Sequence, residues 1–193
     1  MQICKKESKS QNKVFQFVLT ALLTAVIAIM SQIAIPLPVG IPITLQTFAV
    51  AFCGYLLGIK FGLCGIGIYI VLGAVGVPVF ANFKGGIGAL VGLTGGFIYG
   101  FIFLVVGCGI SVLAAQHLTK PVFKYTVCFV LGIVGLLACH LCGVLHYVVL
   151  TGNAFVASAL TMSVPFLLKD IVSVVVAFFV AKAVRKLLRN IFE

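Results

Sequence analysis

Between Glu7 and Glu193 the chain carries one carboxylate, Asp170, set in the run Val164-Pro-Phe-Leu-Leu-Lys-Asp-Ile-Val-Ser-Val-Val-Val-Ala. A surface that faces water needs charges, about 25% of the residues in a soluble domain. Here charged residues are 8% of 193 and hydrophobic ones 63%. Such a chain cannot cover itself against water and takes lipid as its solvent. In lipid every backbone group must pair within its own segment, and no barrel-like alternation is visible, so the spans are helical. The predicted class is an all-α integral membrane protein forming a single membrane domain over residues 1–193. The seven cysteines, at 4, 53, 64, 108, 128, 139 and 142, are odd in number and scattered through apolar segments. They read as buried small hydrophobes, not as a disulfide framework.

The apolar segments predict six spans, at 14–35, 45–59, 62–81, 94–115, 122–150 and 164–184. The first is about 22 residues, too long for the roughly 7–15-residue core of a cleavable signal, and it runs into Pro36-Leu-Pro38 without a small-x-small cleavage site. The stretch 45–81 is about 37 residues, near 55 Å if helical, so it must cross twice. Its natural break is Gly58-Ile-Lys-Phe-Gly62, where its one charge stands between two glycines. Both halves are short, which predicts thin, tilted or locally distorted helices. Small residues repeat every four positions at Gly54/Gly58/Gly62, Gly92/Gly96/Gly100 and Ala21/Ala25, the pattern that lets helices approach closely in lipid. The face of Ala21 and Ala25 equally suits docking of another protein.

Charge placement tests this count independently. Six spans put both termini on one side, with basic tails at 1–13 and 185–193. The cations there and in the loops on that side are Lys5, Lys6, Lys9, Lys13, Lys60, Lys120, Lys124, Lys182, Arg185, Lys186 and Arg189; Lys84 and Lys169 fall opposite. The positive-inside rule then predicts cytoplasmic termini. The net charge of +10 is topological information and gives no reason to expect a nucleic-acid partner; clusters this close to spans meet anionic lipid first.

Three polar clusters gather on the outer side of this topology. One is Pro36 to Thr47, with Thr44 and Gln46; another is Asn82 to Gly96, with Asn82 and Lys84; the last is Lys169-Asp170. Sparse polar groups delivered to one face by separate loops describe a ligand cavity. Loop residues are also polar simply because loops touch water, and that reading suits Lys84, Asn153 and Ser158. It does not suit Gln46 or Asp170, which lie in or beside apolar runs. A carboxylate mid-membrane costs roughly 2.5–3.5 kcal/mol, so it is kept where it faces a pore, a bundle interior or a ligand. Pro165 would otherwise mark a helix start at the headgroup level, with Lys169 and Asp170 as a helix-end pair. No G-x-x-x-x-G-K-[ST] phosphate loop and no G-x-S-x-G turn occurs, so no enzyme activity is predicted. Cys139, Cys142 and His146 share a helix face to within about 60°, with His140 off it. They offer an alternative, a small membrane enzyme or a metal-responsive protein, although buried thiols and a hydrogen-bonded histidine explain them more simply.

With those residues in view the chain resembles the BioY family, the biotin-specific membrane subunits (S components) of energy-coupling-factor (ECF) vitamin transporters. Three strings carry the likeness. They are Ile35-Pro-Leu-Pro-Val-Gly-Ile-Pro-Ile-Thr-Leu-Gln-Thr-Phe-Ala-Val50, then Leu72-Gly-Ala-Val-Gly-Val-Pro-Val-Phe-Ala-Asn82 with Gly92-Leu-Thr-Gly-Gly-Phe97, and Pro165-Phe-Leu-Leu-Lys-Asp170. The resemblance implies a six-helix bundle that binds biotin from outside under a lid made by the first loop. It also implies partnership with a transmembrane coupling protein and two cytoplasmic ATPases, in the bacterial plasma membrane. ATP would be used by those partners, and no cofactor is expected in this chain. Ligand-binding candidates are Asp170, Lys169, Gln46, Thr44, Asn82, Lys84, Ser173 and Tyr147; Ala21 and Ala25 are the partner-docking candidates. The chain departs from the family pattern at Ser173 (usually lysine), Lys169 (usually glycine) and Leu93 (usually proline). His146, followed by Tyr147, stands where the fifth helix commonly has an aromatic. Another water-soluble vitamin is the nearer alternative ligand, since only the motifs select biotin.

Overall fold

Long apolar runs with few breakers become long helices, and the breakers set where they end. The computed structural model describes residues 2–35 and 42–192, with side chains over 13–35 and 42–188. In chain order the elements are α1 (Gln2–Gln32), β1 (Ala34–Ile35), β2 (Ile43–Thr44), α2 (Gln46–Val75), a 3-10 turn (Ala81–Phe83), α3 (Ile87–Val91), α4 (Gly95–Gln116), α5 (Pro121–Thr151), α6 (Phe155–Met162) and α7 (Val164–Phe192). Among the described residues five helices are long and apolar enough to cross a membrane: α1 over Lys13–Gln32, α2, α4, α5, and α7 over Val164–Leu188.

The difference between six predicted spans and these five lies in α2. Gly58 has φ 75° and ψ −168°, far from helical values, and turns the chain back on itself. The Gln46 side chain therefore reaches Tyr69 at 2.5 Å, although a straight helix would hold them roughly 35 Å apart. A Cβ added at Gly62 would lie 3.6 Å from the Gly54 Cα. Residues 46–57 and 59–75 thus form antiparallel arms of about 18 and 25 Å, each shorter than the ~30 Å hydrocarbon core. The break leaves carbonyls of the first arm without helical partners; Arg185 Nη2 donates to one of them, Leu56 O, at 3.0 Å.

The reversal gives the bundle two distinct ends. One gathers the start of α1, the Gly58 bend, the α4–α5 connection and the last turns of α7, as the Phe17–Phe61, Lys182–Tyr125 and Arg185–Leu56 contacts record. The other gathers the end of α1, both tips of α2, the 76–94 segment, the start of α4, the end of α5, α6 and the start of α7.

Glycine sets the tightest helix contact. A Cβ at Gly96 would meet His146 Cβ at 2.4 Å, and one at Gly100 would meet Cys139 O at 2.7 Å. α4 and α5 therefore lie backbone to backbone, as small residues permit in lipid. Gly92 does not extend this stripe, because it caps α3 before α4 begins.

Several predicted boundaries move. The first span ends at Gln32, and residues 34–35 enter a two-strand ladder with Ala34 opposite Thr44 and Ile35 opposite Ile43. The span predicted to reach 81 ends at Val75, where Gly76 takes a left-handed φ of 111° and donates its N–H to Gly73 O. The 82–93 and 151–163 connectors contain α3 and α6. Ser158, read as a solvated loop residue, is buried on α6 and donates to Ala154 O. The expected lid, 36–41 with Pro36 and Pro38, lies outside the described residues, as do the side chains of Lys5, Lys6, Lys9 and Arg189.

Candidate ligand site

α7 begins with Val164-Pro165, and its second turn brings Asp170 into the bundle at 4% exposure. Two groups hold the carboxylate. His140 Nε2 on α5 stands 3.2 Å from Oδ2, and Lys169 Nζ is ion-paired with Oδ1. The His140 ring is fixed at its other nitrogen, Nδ1, by Ser163 Oγ at 2.8 Å and by an edge-to-face contact with Phe97 at 5.7 Å. A neutral imidazole that donates from Nε2 to the carboxylate and accepts the Ser163 hydroxyl at Nδ1 satisfies all three groups. Lys169 also donates to Thr44 O at 2.9 Å, tying the start of α7 to β2. The ammonium offsets the charge at Oδ1 without a hydrogen bond of good geometry, and among the described buried side-chain atoms Oδ1 is the one left without such a bond. A ligand N–H that reaches Oδ1 would therefore share it with the Lys169 ammonium.

Asp170 faces a cavity closed on the other sides by aromatic groups, Phe80, Phe97, Phe101 and Phe166. Gln46 enters it from the first turn of α2. Its Nε2 donates to Tyr69 Oη, and Tyr69 in turn donates to Val79 O at 3.1 Å. That chain fixes the amide and leaves its carbonyl oxygen for other donors. The opposite wall is the 78–84 segment, gripped by Gln32 through Phe80 O at 3.1 Å and Phe83 N at 2.8 Å. Asn82 and Phe83 take positive φ of 58° and 56° in this turn, a geometry Asn tolerates better than most residues.

Of the predicted candidates, Thr44, Gln46, Asn82, Lys84, Lys169 and Asp170 line this one cavity. Ser173 and Tyr147 do not. Ser173 lies one turn further along α7 and donates to Lys169 O at 2.9 Å. Tyr147 packs beside Met162 and Phe166. His140, Thr47, Thr94 and the four phenylalanines were not among the candidates. His140 could have been found by asking which basic or polar group in the remaining spans could meet a lone acid.

The alternative built on Cys139, Cys142 and His146 finds no convergence. His146 Nε2 binds Gly92 O at 3.0 Å, and Cys139 Sγ binds Phe97 O at 3.6 Å. Among the described residues no three His, Cys, Asp or Glu side chains are grouped to hold a metal ion. Ala21 and Ala25 are both exposed on α1, on the side away from buried Thr20, Thr24 and Ile27.

Comparison with known proteins agrees with this architecture. The BioY family model matches residues 5–190. The biotin transporter BioY of Thermotoga maritima is 37% identical over 89% of this chain and 96% of its own length. A probable biotin transporter BioY of Pyrococcus horikoshii is 34% identical over 82% and 91%. In three dimensions the chain superimposes, with a TM-score of 0.79 and 22% identity over 91% of this chain and 93% of the other, on a crystal structure of the S-component for biotin from an ECF-type ABC transporter. The chain is an apolar, multi-pass membrane protein with that fold, and it belongs to the BioY family.

Proposed function

We propose that this protein is the biotin-binding S component of an ECF-type importer, capturing the vitamin in the Asp170 cavity and handing it to a coupling protein driven by two ATPases. The observation that carries the reading is the buried carboxylate itself, held at Oδ2 by His140 and at Oδ1 by Lys169 in the wall of an aromatic-lined cavity. Biotin presents a ureido ring with two N–H donors and one carbonyl, an apolar thioether ring and a valerate carboxylate. Asp170 accepts a ureido N–H, since a second carboxylate there would be repelled. The fixed Gln46 carbonyl can take the other N–H, and the phenylalanines take the bicyclic ring. Asn82 and Lys84, exposed on the cavity wall, serve the valerate end, while Thr44 stays beside the Lys169–Asp170 pair; Lys84 is the cation of the exposed wall among the described residues.

The reading includes six crossings, each arm of α2 spanning as a short, tilted segment, with the bilayer thinned to match. Both termini then face the cytoplasm with the basic end of the bundle, and the ligand cavity opens outward. The chain itself performs no catalysis. Titration calorimetry on folded, monodisperse protein tests the assignment: biotin should bind with a one-to-one stoichiometry, and other water-soluble vitamins should give no heat. Tight binding of a different vitamin in place of biotin would overturn the ligand while leaving the site standing.

A further inference from the structure

A second cavity, of about 320 Å³, opens at the basic end of the bundle between α4, α5 and α7, far from Asp170. Its size reaches the range of small-ligand pockets, roughly 300–1,000 Å³. Tyr55 and Phe178 form its floor, packed edge to face at 5.4 Å, and three cations stand around it: Lys124, Lys182 and Arg185. Lys182 Nζ donates to Tyr125 Oη at 2.5 Å and lies 4.6 Å from the ring centroid. Arg185 spends one of its five donors on Leu56 O. Among the described residues none of the three is paired with a carboxylate, since both ion pairs there involve Asp170, at the opposite end. Lys124 and Arg185 are partly exposed and Lys182 is exposed, so the three cations face the cavity opening together and repel one another until an anion joins them.

Three cations around one cavity favour an anionic ligand, and the surroundings say which kind. On the proposed membrane placement the cavity lies where the α4–α5 connection and the basic end of α7 approach the cytoplasmic headgroups. Val122, Phe123 and Phe179 flank it and are 70%, 57% and 52% exposed, a surface suited to acyl chains. We propose that this cavity is a binding site for the phosphate headgroup of an anionic phospholipid, with Lys124, Lys182 and Arg185 on the phosphate oxygens and the acyl chains lying over the flanking apolar side chains. A basic pocket between spanning helices is the recurrent geometry for such headgroups. The inference rests on the membrane placement of this end of the bundle and not on the identity of the vitamin.

The test uses native mass spectrometry of the full chain after delipidation and addition of phosphatidylglycerol or phosphatidylcholine in detergent. The parent should retain phosphatidylglycerol selectively. Lys124→Gln/Lys182→Gln should retain roughly tenfold less, while Lys60→Gln/Lys186→Gln, an equal charge change at the same end but outside the cavity, should behave as the parent. Arg185 is left intact because it also caps α2, and unchanged thermal stability and biotin affinity will show that both double variants are folded. Equal retention by the two double variants would overturn the site in favour of diffuse surface attraction. Displacement of the lipid by millimolar inorganic phosphate would overturn the lipid assignment in favour of a soluble phosphate compound. Unselective lipid retention, together with loss of partner co-purification in the cavity variant alone, would instead mean a protein surface docks there.

Discussion

Asp170 is held from two sides, so its substitutions separate the roles of charge, hydrogen bonding and position. If Oδ1 accepts a ureido N–H, Asp170→Ala leaves that donor unpaired. A charge-assisted hydrogen bond contributes about 1.5–3 kcal/mol, so biotin affinity should fall by roughly ten- to over a hundredfold in calorimetry. Asp170→Asn keeps one carbonyl oxygen and should lose less. Affinity equal to the parent in Asp170→Ala would reduce this residue to a helix-end charge. His140 touches the carboxylate through Nε2 and is expected to act by positioning it. His140→Ala should weaken binding, and His140→Gln, which can still donate to Oδ2, should recover part of the loss; a purely packing role would give no such recovery. Lys169 both pairs with Asp170 and anchors β2 through Thr44 O. In the Lys169→Ala background, Ser173→Lys asks whether a cation one turn away can substitute. It should restore charge balance but not the Thr44 tie, so recovery should be incomplete. At this scale Asp170 was legible because an acid in an apolar run has few uses. His140 was not, since its partner lies 30 residues away and it stands off the helix face shared by Cys139, Cys142 and His146. It faces α7 because it lies off that face.

Elements are set here by glycines that act in two different ways, and substitution by alanine distinguishes them. At Gly58 a Cβ would meet nothing within 4 Å, yet φ is +75° with extended ψ. The cost is backbone strain, about 1–3 kcal/mol, and the α2 reversal is what it opposes. Gly58→Ala should therefore lower the thermal midpoint of the detergent-solubilised protein. At Gly100 the backbone is ordinary helix, but a Cβ would fall 2.8 Å from Cys139 Sγ as well as against Cys139 O. Gly100→Ala pushes α5 away from α4, and His140 is the next residue on α5. It should lower biotin affinity along with stability, whereas Gly58→Ala should affect stability more than affinity. Affinity unchanged in Gly100→Ala would mean the cavity tolerates movement of α5. The break at 58–62 was readable because one lysine between two glycines interrupts an apolar run too long for one crossing. The β1–β2 ladder was not readable: two-residue strands carry no alternation, and what pairs them is the return of the chain from α1 to α2. α3 and α6 escaped for a similar reason, since helices of five and eight residues in polar or glycine-rich surroundings carry too few turns for a period to be visible.

At the scale of the whole molecule, the proposed role places binding and coupling on different parts of the bundle, and that separation is testable. The chain has no phosphate-binding loop, so the purified subunit alone should bind biotin and hydrolyse no ATP; robust hydrolysis in a preparation free of other subunits would contradict the role proposed. In the role proposed, energy enters through a partner, and α1 offers a candidate surface for it. Its inner side, with Thr20, Leu23, Thr24 and Ile27, is buried, and Thr24 Oγ1 donates to Gly65 O at 3.2 Å. Its outer side carries Ala21 and Ala25 among Phe17, Val18 and Leu22, which are 59%, 61% and 59% exposed. Two alanines a turn apart make a shallow notch between larger apolar residues, the shape into which a partner helix packs closely in lipid. Ala25→Trp fills that notch on the outside of the bundle, with no side chain of the Asp170 cavity in reach. Co-purification with the transmembrane coupling protein should fall severalfold, while biotin affinity by calorimetry stays within about twofold of the parent, because close helix packing is lost and no ligand contact is touched. Equal loss of both would mean that this face packs inside a larger biotin-binding unit. Unchanged co-purification would move the coupling surface elsewhere on the bundle.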